Sequence, residues 1–559
     1  MATTEAMKNE SPAEDTTVQQ TEEHQLASVK SFDFDQLEAA AHAQQKIEHE
    51  LTRWQAIKAY PKASAWILFM VWLMILVGYE GQAGSIVVSI PQFRQDFGHW
   101  YEDQYVLETK WQSAISGAPL AAIAFSSMTS SWFADRFGRK WIIVAGLVVS
   151  VPSIAIEFVA TTINVFMAGK MVNALCLGIF STMAISYVSE VSPLALRGLA
   201  AGACSLSLCI GPFICYLINN KTATYTSRMA YRGVFIPQWV FSVSCLFFAP
   251  FMPESPYYFI RKDRNEDALK SLKRLYTPTQ AYQQFAIMKV TYEELKLITQ
   301  SSTYLDCFKK KDIKRTFTIL FAFFMQPMSG VTFISSYSTY YFQYAGWSTQ
   351  RSYQLSCGGQ ALSITGVITS WFIIDRFGRR PLMLYGITAL TVLNLIVACA
   401  GLSENNYGAM VAASAFMVMY NFFYNLGIGP LPYIMATEVS SVSLRAKTMA
   451  LATLTNYAFQ CMWSFVLPYM FNADQADMGS KINFIFTGMS FLSIFVFYFI
   501  QPETAGRSFE EIDELYDKNI PLKEWKLYKT QKQQDSDRFY DDLKQEVSHV
   551  EYNSEPEVA

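Results

Sequence analysis

Charge is what this sequence has least of: 16% of its 559 residues are Asp, Glu, Lys or Arg, against about 25% in an ordinary globular protein. The charges balance to -3, with a pI near 6.1, which excludes the basic face that nucleic-acid binding needs. Histidine is as sparse. The five are His24, His42, His49, His99 and His549, all outside the apolar runs. No nucleophile and base pattern and no glycine-rich phosphate loop accompany them, so the chain reads as neither an enzyme nor an ATP-driven pump. The nine cysteines lie mostly within apolar runs and lack CxxC or zinc spacing. They read as small buried hydrophobes, not as a disulfide frame or a metal site. The N-terminal MATTEAMKNESPAEDTTVQQTEEHQ has no short apolar core before a cleavage site, so targeting is expected from the first spanning helix.

What remains is hydrophobic: 51% of residues, with 15% aromatic. Mean hydropathy is only +0.15 because both ends and a central block are polar. At about 20 apolar residues per crossing, twelve spans are expected, near 66–90, 112–133, 141–162, 164–187, 199–218, 233–252, 316–344, 354–374, 382–402, 409–436, 446–470 and 482–501. The fold class is therefore an all-α membrane protein of twelve transmembrane helices. Interruptions such as LCIGPFICY and NLGIGPLPYIM suit helices that line a cavity. The expected division is a largely disordered tail over 1–60, a six-helix lobe over 61–252, linker helices over 253–315, a second lobe over 316–501 and a tail over 502–559. FDFDQLEAAAHAQQKIEHELTRWQAIKAY has the pattern of an amphipathic surface helix.

Lys and Arg gather in ADRFGRKW, in IDRFGRRP and in the central block with RKDR, KSLKR and KKKDIKR. These segments are expected to face the cytoplasm, and an even number of spans then puts both termini there, with the plasma membrane as the expected location. Asn220 in NNKT is expected on an outer loop as a glycosylation acceptor.

An internal repeat organises the chain. DRFGRK at 135–140 recurs as DRFGRR at 375–380, SEVSPLALRG at 189–198 as TEVSSVSLRA at 437–446, and PES at 253–255 as PET at 502–504. Three matches in one order imply two six-helix halves in parallel orientation, the plan of two-lobed secondary transporters. Each half carries both signs of charge at corresponding helix ends: Asp135, Arg136, Arg139, Glu190 and Arg197, then Asp375, Arg376, Arg379, Glu438 and Arg445. They read either as anchoring charges at membrane ends or as ion pairs that shut a cytoplasmic gate while the outer side is open.

Three ionisable residues fall inside spans of the first half: Glu80, Glu157 and Lys170. A charge in hydrocarbon costs roughly 3 kcal/mol or more and marks function by default. At 1.5 Å per residue they lie about 15, 7 and 9 Å from the outer ends of their spans, close enough in depth to pair. The set is either a permanent structural ion pair or a proton switch. Spans seven, ten and eleven carry a surplus of amides, hydroxyls and tyrosines, among them Gln326, Thr332, Tyr433, Asn456 and Gln460. Such neutral partners suit a polar uncharged solute, although each also serves as a helix-to-helix hydrogen bond.

Over residues 60–520 these motifs, together with PESPYYFIRKDR, GIGPLPY and PETAGRSFEEI, make the chain resemble a sugar porter of the major facilitator superfamily. YRGVFIPQW, SGVTFISSYSTYYFQYAG and NYAFQCMWSFVLPYMFN are similar to the fungal alpha-glucoside permeases, the maltose-type proton symporters. The resemblance implies proton-coupled uptake of a neutral carbohydrate, an alpha-glucoside or related oligosaccharide, by a monomer in a lipid bilayer that uses the proton gradient and no cofactor. It matches Glu80 to the acid of the family's GYD motif, Lys170 to the fourth-helix arginine, Gln326 to the first glutamine of QQ-x-S-G, Asn456 and Gln460 to the sugar-facing positions of helix eleven, and Tyr433 to the tryptophan of GPxPW. Pro327, Thr332, Ser205 and Ser363 stand where the family has amides, which opens space and removes hydrogen bonds. A facilitator or symporter of a hexose, polyol or other neutral plant-derived solute, or a sugar sensor that does not transport, are the alternative readings.

Overall fold

The computed structural model describes residues 52–530, except 102–103, 300–302, 403–405, 442, 473–474, 508, 523, 526–527 and 529. Residues 1–51, with most of the expected disordered tail and the body of the N-terminal amphipathic segment, lie outside the described residues; the last part of that tail is not disordered but forms the helix Arg53–Ala59.

Twelve long helical spans follow one another: α1 Pro61–Ser89, α2 Thr109–Phe137, α3 Arg139–Val159, α4 Ile163–Val191, α5 Leu194–Thr222, α6 Ile236–Phe248, α7 in two pieces Ile313–Met328 and Val331–Tyr344, α8 Thr349–Phe377, α9 Arg379–Ala400, α10 in two pieces Tyr407–Leu426 and Leu431–Val439, α11 Arg445–Phe471 and α12 Asn483–Ile500. Among the described residues ten of these spans, taking α6 with its flanking turns as Met229–Phe251 and α12 as Gly479–Ile500, are long and apolar enough to cross a bilayer by length and composition. The other two are α2 and α11, and their polarity has a reason: they pack on each other across the middle of the molecule. Ser113 of α2 donates to the Phe465 carbonyl of α11 at 2.9 Å, so their polar faces meet protein and not lipid.

Two large hydrophobic clusters divide the interior among the described residues. One gathers residues from Tyr60 to Met288, with Tyr353 added from the second half; the other runs from Ile319 to Phe497. Between the halves lie the linker helices Pro256–Arg261, Asn265–Leu275 and Pro278–Thr299. Leu269, Leu272, Leu275 and Phe285 join these helices to the first cluster. A short antiparallel hairpin, β1 His99–Tyr101 and β2 Gln104–Val106, closes the opposite end of the first half. These two ends are called the linker face and the hairpin face below.

Asn220 does not sit on a loop as expected. It lies in the last turn of α5, with its Oδ1 buried, because the helix continues through NNKT to Thr222 before it frays.

Candidate functional site

The three intramembrane ionisable residues come together. Lys170 of α4 forms an ion pair with Glu80 of α1 and lies 3.9 Å from Glu157 Oε2 of α3. The three side chains are 3%, 1% and 0% exposed. Gly84, one turn beyond Glu80, makes room for the lysine: a Cβ there would lie 2.9 Å from Lys170 Cε. Asn173 follows Lys170 by three residues and so shares its helix face. It donates to Glu157 Oε1 at 3.3 Å and accepts from Ser150 at 2.9 Å. Glu80 Oε2 and Glu157 Oε2 receive no hydrogen bond from the described residues. Two carboxylates face one ammonium here, so with all three ionised the cluster carries one uncompensated negative charge, which is costly in a low-dielectric interior. One bound proton makes it neutral.

Two of the polar solute candidates of the second half, Gln326 and Asn456, meet at the breaks of α7 and α10. At Gly330, with φ +99°, α7 turns sharply. In α10, GIGP ends one helical piece and leaves backbone carbonyls unpaired. Gln326 Nε2 takes up two of these, Ile428 O at 3.1 Å and Gly429 O at 2.8 Å. Its Oε1 accepts from Asn456 Nδ2 of α11 at 2.7 Å, and Asn456 also donates to Phe323 O at 3.2 Å. Tyr433 stands edge-on to Phe323, ring centroids 4.8 Å apart, and is 48% exposed. Gln460 is one turn beyond Asn456 on α11 and half-buried. Thr332 is buried, with a hydroxyl that has no hydrogen-bond partner among the described residues.

Further along α7 a small pocket is lined by Tyr216 of α5, Ser338 of α7, Ser356, Gly359 and Gln360 of α8, and Asn421 of α10. Its volume of about 10 Å³ is near the minimum that holds a water, so any larger solute requires the halves to part. The sequence reading missed Ser356 and Gln360. The helical spacing of Ser352, Ser356 and Gln360 on one face of α8 was the available signal.

Bonds between the halves gather toward the hairpin face. Ser89 pairs with Tyr353 at 2.8 Å, Arg94 with Gln343 at 2.8 Å, and Asn472 with Thr109 at 3.1 Å. Deeper, Gln82 of α1, which also donates to Tyr216 of its own half at 2.9 Å, crosses to the Ser335 carbonyl of α7 at 3.0 Å. At the linker face the charged repeats pair inside each half. Arg139 meets Glu190 at 3.0 Å and Asp135 at 3.8 Å, while Arg379 meets Glu438 at 3.0 Å. Asp135 also holds Arg261 of the linker, with Nη2 at 2.9 Å. Arg136, Arg197 and Arg376 are exposed and Arg445 is half-buried at the start of α11; the side chain of Asp375 lies outside the described residues.

The third repeated motif has its own partner. Glu254 of PES accepts from the backbone N–H of Arg139 at 2.8 Å and of Lys140 at 3.2 Å, capping α3. Glu503 of PET does the same for Arg379 at 2.9 Å and Arg380 at 3.2 Å, capping α9. A carboxylate at a helix N-terminus satisfies orphan N–H groups and the helix dipole together. Gly138 at φ +94° and Gly378 at φ +86° carry the turns that precede, and a Cβ at either would strike the capping carboxylate. Burial raises the Glu254 carboxyl above its ordinary range, against the pull of these N–H bonds.

Residues 66–516 match the family model described as "Sugar (and other) transporter". The general alpha-glucoside permease of Saccharomyces cerevisiae is 27% identical over 488 residues, 86% of this chain and 79% of that one. A maltose permease of the same yeast is 27% identical over 485 residues, 85% and 79%. Among solved structures, the proton:xylose symporter XylE bound to 6-bromo-6-deoxy-D-glucose superposes with a TM-score of 0.65 at 17% identity, covering 81% of this chain and 99% of that one. An inward-open structure of the xylose transporter XylE from E. coli also gives 0.65, at 16% identity over 81% and 99%. These structural likenesses show the major facilitator fold of twelve helices in two halves.

Proposed function

We propose that this chain, which belongs to the sugar transporter family, carries a neutral carbohydrate of the alpha-glucoside class into the cell together with a proton. The observation that carries the coupling is the buried cluster in which one ammonium, Lys170, faces two carboxylates, Glu80 and Glu157. With a proton on Glu80 the cluster is neutral, and Lys170 turns from Glu80 toward Glu157. That frees α1, which reaches the second half two residues later through Gln82. Loss of the proton restores the pair and α1 returns. In this reading Glu157 is the standing counter-charge, Lys170 the movable one, and Asn173 with Ser150 holds Glu157 in place.

The solute reading rests on neutral groups. Gln326, Asn456, Gln460, Tyr433 and Thr332 lie along α7, α10 and α11, and Gln360 and Asn421 line the small pocket. In the present arrangement Gln326 and Asn456 satisfy each other and the α10 break. A sugar hydroxyl that replaces one of these bonds exchanges hydrogen bonds at little net cost. The names of the yeast relatives favour an alpha-glucoside as that solute.

The linker face is assigned to the cytoplasm of a cell whose plasma membrane holds the protein, on the strength of its Lys and Arg. Bonds between halves gather at the hairpin face, which supports an inward-facing arrangement. The intra-lobe charge pairs at the linker face would then be regrouped when that side closes.

Expression in yeast stripped of its sugar carriers tests the reading. Labelled maltose should enter faster as external pH falls and should accumulate above the medium concentration. Entry that follows only the sugar gradient would defeat the coupling, and absence of any carbohydrate uptake would defeat the solute class.

A further inference from the structure

A second cavity lies at the hairpin face, remote from the amide pair. Its volume is about 260 Å³, a little below the roughly 300–1,000 Å³ of pockets for drug-sized ligands. It is open on one side to solvent, since Tyr344 and Ser348 are exposed. Both halves build it. Arg94, in the short helix after α1, reaches over the Tyr340 ring of α7 at 5.1 Å from its centroid and donates to Gln343 Oε1 at 2.8 Å. Tyr344, Trp347 and Thr349 complete the wall.

Two features mark this cavity as a built site. Arg94 is 8% exposed, yet its Nε–H has no acceptor among the described residues; the same holds for Gln343 Nε2. Two buried donors beside one cavity call for acceptor oxygens on whatever fills it. The aromatic walls are fixed in advance: Trp347 Nε1 donates to Ser414 at 3.1 Å and the Tyr344 hydroxyl to Asp477 at 2.9 Å. Rigid aromatic faces reduce the ordering cost of binding. The Tyr340 face and Gln343 Oε1 already offset the guanidinium charge, which leaves a demand for acceptors more than for a counter-ion.

We propose that this vestibule is a second carbohydrate site, which takes one pyranose ring of an external sugar with its C–H face on Trp347 or Tyr344 and its hydroxyl oxygens on Arg94 and Gln343. The inference rests on the carbohydrate reading above. Because both halves contribute, a ring bound here ties them together at the hairpin face and holds the protein inward-facing. External sugar at high concentration then slows its own uptake.

The test is equilibrium binding of labelled maltose to the purified full chain in nanodiscs, with unlabelled glucose and glucuronate as competitors. Two classes of site are expected. Arg94→Gln, and independently Gln343→Ala, should weaken one class at least tenfold, and Gln326→Ala should weaken the other. In whole cells, Arg94→Gln should relieve inhibition at high external maltose. A single class of site that Arg94→Gln and Gln343→Ala leave in place overturns the vestibule alone. Displacement by glucuronate but not by glucose also overturns it, in favour of an anion site. Absence of carbohydrate binding in every form of the protein overturns both this inference and the carbohydrate reading.

Discussion

Lys170 holds Glu80 in an ion pair in which both side chains are buried, and Glu157 Oε2 lies 3.9 Å from the same ammonium. The surplus of one carboxylate is the physical basis for a proton in this cluster, since an unpaired buried charge costs several kcal/mol. Replacing Glu157 with Gln removes the surplus while keeping the hydrogen bond to Asn173. Glu157→Gln should therefore transport with a flatter dependence on external pH, measured as initial maltose uptake between pH 5 and 8. A pH profile like that of the parent chain would show that Glu157 takes no part.

Gly84 sets how closely Lys170 can lie along α1. A methyl at that position would approach Lys170 Cε to 2.9 Å, and overpacking of this kind costs typically 1–3 kcal/mol. Gly84→Ala is expected to lower maltose accumulation about tenfold or more, the effect of 1.4 kcal/mol on an equilibrium, with surface expression maintained. Gly81→Ala, which meets nothing within 4 Å, should transport normally. The paired variants separate a local effect on Lys170 from a general loss of helix flexibility.

Gln326 and Asn456 share one hydrogen bond, so their substitutions should not add. Each single change to Ala is expected to raise the KM for maltose several-fold, and the double change should cost less than the sum by about 0.5–3 kcal/mol of coupling. The transport kinetics of the four proteins complete the cycle. Strict additivity would mean that the two amides serve the solute separately.

Glu254 and Glu503 cap equivalent helices in the two halves, and loss of either should weaken the fold more than the chemistry. A lost cap typically costs about 1 kcal/mol. Glu254→Ala and Glu503→Ala should each lower the unfolding temperature of the purified protein by a few degrees, with the residual transport still pH-dependent. Abolition of pH dependence by either change would place these carboxylates in the coupling machinery.

Much of this was legible in the sequence. The number of spans, the parallel repeat and the shared depth of Glu80, Glu157 and Lys170 all follow from hydropathy, spacing and the 1.5 Å rise of a helix. The less legible features are tertiary. PES and PET were visible as a repeat, but their carboxylates act on helix starts more than 100 residues away, a relationship that no local pattern encodes. Asn173 and Ser150 gain their role only through Glu157, which the packing of α3 against α4 brings beside them. The polarity of α2 and α11 makes sense only once they are seen against each other. The charged turns read equally as anchors or as a gate, and which helices they would join was not legible: they pair within each half, because α3 starts beside the end of α4, and α9 beside the end of α10, at the linker face.

Proton movement with sugar is the most direct test of the central claim. In lightly buffered proteoliposomes with no imposed pH gradient, addition of maltose outside should alkalinise the medium as the parent chain carries protons inward with the sugar. Glu80→Gln should abolish that signal while still exchanging labelled for unlabelled maltose across the membrane. A Glu80→Gln protein that alkalinises the medium as the parent does, or a parent chain that moves maltose with no proton signal at all, would contradict the account.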